Sequence, residues 1–225
     1  MIKAVLFDLD NTLIDFMRFK NKCCEAAIEE MISAGLRMNK EKASSLLFKI
    51  YNKYGIEHKM IFQKFLKKAI GEIDYKILAY GIMAYRKMKN SYLEPYPGVI
   101  STLIKLKKDY KLAIISDAPK LKAWERLATM RLDEFFDVVI TAADVKAEKP
   151  SSRIFKKTLE KLNVKPEEAV MIGDRVARDI KGARSMGIKS VFAKYGDLKI
   201  KKSGADFEIN DIRELPGILD KLKDK

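Results

Sequence analysis

The sequence predicts an α/β protein in which a doubly wound parallel sheet is interrupted by one all-helical insert. Three observations predict it. Short β-rich runs recur with helical stretches between them, the first run is apolar at consecutive positions, and the long segment after it contains no strand-like run. Alternation of strand and helix is how a parallel sheet covered on both faces is built. With 225 residues and 48% hydrophobic content, the chain can bury such a core without disulfides or a structural metal.

The first strand is expected over Lys3–Leu9, where Ala4-Val5-Leu6-Phe7 offers no polar face and so belongs in the centre of the sheet. From Asp15 to Tyr92 the spacing turns helical. Phe16, Phe19, Cys23, Ala27 and Met31 form one stripe; Ile61, Phe65 and Ala69 run beside Phe62, Leu66 and Ile70; a third runs from Ile77 or Leu78 through Ile82, Tyr85 and Met88. These stripes describe a bundle of about four helices, with Asn39 placed to cap one of them. Glu94-Pro95-Tyr96-Pro97-Gly98 then halts helix formation, because proline lacks an amide donor and biases its predecessor away from αR. The predicted division is therefore an α/β core of residues 1–14 and 93–225 and a helical cap of residues 15–92. Further strands are expected at Leu112–Ser116, Val138–Thr141, Ala169–Ile172 and Ser190–Ala193, with a last one near Phe207–Ile209. An insert placed directly after a strand that carries two aspartates is well sited to act as a lid.

Composition excludes several classes of function. The net charge is +14, and residues 15–92 hold 16 Lys+Arg against 8 Asp+Glu. Such an excess suits solvated lysine-rich helix faces and also draws anions, so a small phosphorylated substrate fits and a nucleic-acid partner is the rival reading. No basic-apolar-small leader opens the chain and no apolar run approaches the roughly 20 residues of a membrane span, so a cytoplasmic protein with no membrane partner is expected. The adjacent Cys23 and Cys24 cannot form a disulfide framework or a four-ligand zinc site and read as buried packing residues. A single histidine, His58, read as an ordinary helix residue, leaves no Ser-His-Asp triad and no multi-histidine metal site. Neither a G-x-x-x-x-G-K-[ST] phosphate loop nor a G-x-G-x-x-G fingerprint is present. Abundant Lys and Glu beside the single glutamine Gln63 resembles heat-adapted, thermophilic composition.

What remains is carboxylate chemistry. Asp8-Leu9-Asp10-Asn11-Thr12, Ser116-Asp117, Lys149-Pro150, and Gly173-Asp174 followed by Asp179 each stand at or beyond the end of an apolar run. In an open parallel sheet the carboxyl ends of the strands form the ligand crevice, so groups far apart in sequence can converge there. One such aspartate alone would read as a turn residue or a helix cap. Four groupings in this order point to a site.

In these motifs the chain resembles the haloacid dehalogenase-like superfamily of phosphohydrolases. Asp8-Leu9-Asp10-Asn11-Thr12 matches its D-x-D-x-[TV] signature, followed in order by Ser116, Lys149-Pro150 with Arg153-Ile154-Phe155, and Gly173-Asp174-Arg175-Val176-Ala177-Arg178-Asp179. The helical insert after the first motif is similar to the α-helical cap of one subfamily. The resemblance implies a Rossmann-like core, Asp8 as nucleophile, and Asp10 as the acid and base. It also implies Mg2+ held by Asp8, Asp174 and the main-chain carbonyl of Asp10, with phosphate contacts from Thr12, Ser116 and Lys149. Asp179 is counted with the metal-site residues, as the group that orients Lys149 or a metal-bound water. The physical reasons agree with these roles, since a carboxylate approaching a phosphate dianion needs a cation between them and two carboxylates in unlike environments can divide nucleophilic from acid–base work.

Asp117 departs from the pattern, standing where asparagine or threonine is frequent. Arg18, Lys20, Lys120 and Arg175 are candidates for substrate contact, with solvation the plainer reading of each. The expected activity is a Mg2+-dependent phosphatase working through an aspartyl-phosphate on Asp8. A dehalogenase would have no use for Asp10. A phosphomutase, a phosphonate-cleaving relative with a cap lysine, and a basic nucleic-acid-binding module stand as alternatives, and the oligomeric state is left at monomer or homodimer.

Overall fold

In the computed structural model, which describes residues 1–91 and 93–223, the chain separates into two compact units. One comprises Met1–Phe16 with Leu93–Lys225 and the other Met17–Tyr92. Tyr92, where the sequence reading ends the insert, lies outside the described residues, as do 224 and 225 at the end of the core segment.

The first unit begins with β1 (Ala4–Phe7), four residues buried on both faces, as its unbroken apolar run requires. The strand is shorter than the predicted Lys3–Leu9. Past Phe7 the chain turns back on itself, with the Asn11 amide donating to the Ile14 carbonyl and the Leu13 amide to the Leu9 carbonyl, so the pairing groups of Leu9 serve the turn instead of the sheet.

The second unit holds α1 (Phe16–Ser33) from its second residue onward, with α2 (Lys40–Tyr54), α3 (Ile61–Ile70) and α4 (Tyr75–Ser91). Asn39 caps α2 as predicted, its side chain accepting from the Glu41 and Lys42 amides. The predicted stripes supply part of the core, with Ala27 and Met31 of α1, Phe62, Phe65 and Leu66 of α3 and Ile77 and Leu78 of α4; Cys24 and Ile28 of α1 and Leu47 and Tyr51 of α2, which lie outside those stripes, complete it. Each Leu, Ile, Phe or Met among them stabilises the unit by roughly 1.5–3 kcal/mol through burial. Ile70 departs from the stripe and is exposed, since it ends α3 just before Gly71, whose φ of 86° turns the chain away. His58 is not a helix residue; it lies in the turn between α2 and α3, where its Nδ1 accepts from the Met60 amide.

The remaining elements belong to the first unit. They are α5 (Val99–Leu106), β2 (Lys111–Ser116), α6 (Lys120–Thr129), β3 (Val138–Thr141), α7 (Ala142–Val145), α8 (Ser152–Leu162), β4 (Ala169–Gly173), α9 (Lys181–Ser185), β5 (Lys189–Ala193), β6 (Phe207–Ile209) and α10 (Leu215–Lys223). The six strands are all parallel in the order β3-β2-β1-β4-β5-β6. The order reverses at β1, and Phe7 is in register with Ile114 of β2 on one side and Ile172 of β4 on the other. The strands that lead into Asp8, Asp117 and Asp174, with Ser116 the last residue of β2, are thus immediate neighbours ending at the same edge. α8 presents Ile154, Phe155, Thr158, Leu159 and Leu162 inward at helical spacing and packs on β2 and β3, which anchors the Lys149-Pro150 segment just before it.

Candidate active site at the strand ends

Asp8 follows the last residue of β1, and its amide still bonds to the Ile172 carbonyl of β4 at 2.9 Å. The strand ladder therefore sets the direction of its side chain. Asn11 in the turn beyond takes a φ of 59°, a left-handed conformation that asparagine tolerates better than most residues.

Lys149 reaches this edge from before α8. Its Nζ donates to Asp8 Oδ1 and to the Ile115 carbonyl (3.0 Å), and lies 2.7 Å from Asp179 Oδ1. Asp8, Asp174 and Asp179 are all buried, and each offers a carboxylate oxygen within 4.8 Å of the others. Burial and then the like charges of Asp8 and Asp179 push Asp174 well above the usual carboxylate range. Asp179 is likewise raised, first by burial, with Lys149 opposing. Burial alone would lower the Lys149 ammonium, but Asp179, Asp8 and Asp117 outweigh it and hold the lysine charged.

Asp179 sits inside a π-helical turn, Val176–Ile180, that precedes α9. The wider turn lets its Oδ2 accept from the Arg175 amide at 2.9 Å while Oδ1 faces Lys149. Gly173 makes this possible, because a Cβ there would fall 2.3 Å from Asp179 Oδ2.

Thr12 and Ser116 are fully enclosed. Ser116 Oγ accepts from the Ala118 amide at 3.1 Å, so its proton remains available to another acceptor. Thr12 Oγ1 and Asp174 Oδ1 are buried without a hydrogen-bond partner, an arrangement costly enough to indicate groups that a ligand completes.

Asp117, the departure from the motif, takes the Lys149 amide on Oδ1 (2.9 Å) and Arg178 Nη1 on Oδ2 (3.0 Å). An acidic residue there ties the lysine segment to the turn that carries Asp179. Among the cations considered for substrate contact, Lys120 pairs with Asp144 at 2.6 Å, and Lys20 is buried within the helical unit, contrary to the solvated reading.

Three participants escaped the sequence reading. The Arg126 guanidinium meets Asp10 Oδ2. Tyr195 donates to the Thr12 carbonyl at 2.8 Å. Gly196 lies so close that a Cβ would come within 2.1 Å of the Asn11 carbonyl and 2.6 Å of Asp174 Cβ. Nothing local distinguishes that glycine from one in an ordinary turn.

The donor set is all oxygen, three buried carboxylates against one lysine, and one carboxylate oxygen lacks a partner; this fits a hard divalent cation. The cluster can hold such an ion beside an anionic group that the buried hydroxyls would receive.

Comparison with known proteins finds relatives over nearly the whole chain. A profile described as haloacid dehalogenase-like hydrolase matches residues 5–193. The chain is 38% identical over 226 residues to a glyceraldehyde 3-phosphate phosphatase of Pyrococcus furiosus, covering 98% of this chain and 94% of that one. The crystal structure of a HAD phosphatase from Thermococcus onnurineus superposes with a TM-score of 0.66 at 32% identity, covering 97% and 98% of the two chains. A candidate HAD hydrolase from Bacillus subtilis, solved bound to magnesium, shares the fold with a TM-score of 0.74 at 21% identity, covering 97% and 98%. Among the described residues no helix is long and apolar enough to cross a membrane.

Proposed function

The chain belongs to the haloacid dehalogenase-like hydrolases, and we propose that it is a Mg2+-dependent phosphatase that hydrolyses a small phosphorylated metabolite through an aspartyl-phosphate on Asp8. The observation that carries this reading is the buried cluster of Asp8, Asp174 and Asp179 around Lys149, at the edge where β1, β2 and β4 end together. Three buried carboxyl groups share a single lysine, so a bound cation would offset the negative charge that the set develops as its protons leave.

Asp8, Asp174 and the main-chain carbonyl of Asp10 would hold Mg2+, with Asp179 at the rim of the set holding Lys149 in place. When bound, the ion supplies charge neutralisation between carboxylate and phosphate. In the first step a carboxylate oxygen of Asp8 forms a bond to phosphorus, the ester P–O bond breaks, and the departing oxygen takes a proton from Asp10. In the second, Asp10 takes a proton from water as the water oxygen attacks phosphorus. The bond between Asp8 and phosphorus breaks, inorganic phosphate leaves and the carboxylate is restored. Thr12 and Ser116 hydroxyls and the Lys149 ammonium donate to the phosphoryl oxygens as charge redistributes.

We assign the chemistry to residues 1–14 and 93–225 and the choice of substrate to the cap, residues 15–92. Glyceraldehyde 3-phosphate is the first substrate to test, since the Pyrococcus relative is named for it. A cytoplasmic setting is part of this proposal. The direct test is release of inorganic phosphate from glyceraldehyde 3-phosphate and from an aryl phosphate, with and without a chelator. Wild type should turn over and fall silent on chelation, and Asp8→Asn should lose at least about 1,000-fold in kcat while keeping its circular dichroism spectrum. Undiminished turnover by purified Asp8→Asn would overturn the reading.

A further inference from the structure

Arg126 stands on the inward face of α6 with Ala123 and Leu127 and is 6% exposed, a position where an arginine is costly unless a partner repays the lost hydration. Its Nη1 donates to Asp10 Oδ2. The Cζ of the same guanidinium lies over the Phe16 ring, 4.2 Å from its centre, so the group is held by an aromatic face as well as by its hydrogen bond. Lys120 and Lys122 of the same helix instead point outward to Asp144 and Glu125. α6 follows β2, whereas Asp10 follows β1, so the contact ties two neighbouring strand-end loops together.

We infer that Arg126 is a positioning residue for Asp10: by gripping one carboxylate oxygen it sets the plane of the group and hence the direction in which the other oxygen faces. This rests on the acid–base role given to Asp10 above. A proton transfer is efficient only along a short, aligned path, and a planar arginine held on two sides constrains a carboxylate in a way that a point charge does not.

The consequence depends on the leaving group. An alkoxide needs its proton as the P–O bond breaks; a nitrophenolate does not. The test is kcat/KM, which reports phosphoryl transfer to Asp8, for glycerol 3-phosphate and for 4-nitrophenyl phosphate with wild type, Arg126→Gln, Arg126→Lys, Asp10→Asn and the Arg126→Gln/Asp10→Asn double variant. Arg126→Gln should lose about 100-fold on the alkyl ester and less than about tenfold on the aryl ester. Arg126→Lys, which keeps the charge but loses the fork, should fall between Arg126→Gln and wild type on the alkyl ester. It also carries the same comparison if the glutamine variant does not fold. The double variant should match Asp10→Asn within about threefold, because an arginine acting only through Asp10 has nothing left to position.

Equal losses on both esters, or losses that multiply in the double variant, would mark Arg126 as a general support of the fold and overturn the inference. If Asp10→Asn itself shows no leaving-group dependence, the acid assignment fails and the inference falls with it. If Asp10→Asn shows the dependence and neither Arg126 variant does, the inference alone is lost.

Discussion

Lys149 in the α/β unit and Lys20 in the helical unit are buried to the same degree, each 4% exposed, and their described contacts can be set side by side. Lys149 donates to the Asp8 carboxylate and a main-chain carbonyl and lies against the Asp179 carboxylate. Lys20 donates to the Tyr85 hydroxyl at 2.8 Å, and its Nζ lies 4.5 Å from the Tyr51 ring centre and 5.1 Å from that of Tyr85. Near Lys20 the Cys23 and Cys24 thiols are pushed up, to about 12 and about 11, chiefly by burial, so they stay neutral beside the cation. Burial of a lysine therefore says little about chemistry. What marks Lys149 is a surplus of carboxylate, which a lysine alone does not neutralise, set among chemistry-bearing strand ends.

Removing Lys149 should have the largest effect. In Lys149→Met, kcat should fall by about 100-fold to 1,000-fold through loss of a donor to the transferring phosphoryl group. The folded state should lose about 3–5 kcal/mol in metal-free buffer, because Asp8 and Asp179 are left facing each other uncompensated. Denaturant titration with and without Mg2+ measures the second effect, and added Mg2+ should restore part of it. An unchanged midpoint without metal would erase the contrast between the two lysines.

The carboxylate surplus also sets a pH dependence of intermediate size. Asp174 and Asp179 hold their protons above the ordinary carboxylate value of 3.8 in the folded state, so the metal-free fold binds more protons than the unfolded chain and loses stability as pH rises through that window. Mg2+ must displace those protons. Its apparent affinity should tighten by about tenfold per pH unit while one proton is released, as calorimetry in buffers of different ionisation enthalpy would show. Affinity flat between pH 5 and pH 8 would count against an excess of protonated carboxylate at the site.

Lys20→Met should have the smallest effect. Methionine fills a comparable volume without a charge to bury, so the thermal midpoint should move by only a few degrees and kcat/KM for an aryl phosphate by less than about threefold. A rise of tenfold or more in KM for the phosphorylated metabolite would return Lys20 to the substrate-contact role and break the comparison from the other side.

The architecture and the Asp8, Ser116, Lys149 and Asp174 positions were legible because each depends on local pattern: consecutive apolar residues in a doubly covered strand, apolar spacing in the helices, and polar groups where apolar runs stop. The turn at His58 was not, because a lone histidine between two helical stripes has no periodicity of its own. Asp117 stood out only as a departure; that it holds the Lys149 amide and Arg178 follows from a contact across 32 residues in one case and 61 in the other. Arg126 was hidden most completely. On an amphipathic helix rich in lysine it reads as one more solvated cation, and its partner lies 116 residues away.

By itself the sequence determined the alternation of elements, the helical character of the insert and which strand ends carry carboxylates, since these follow from short-range periodicity and backbone chemistry. Only the tertiary structure decided which charges are neighbours. Strand order brings β2, β1 and β4 side by side, and that adjacency turns dispersed acids into one buried cluster, gives Asp179 to Lys149 and gives Arg126 to Asp10. Electrostatic energy depends on distance through space and on the water excluded between the groups, and separation along the chain records neither.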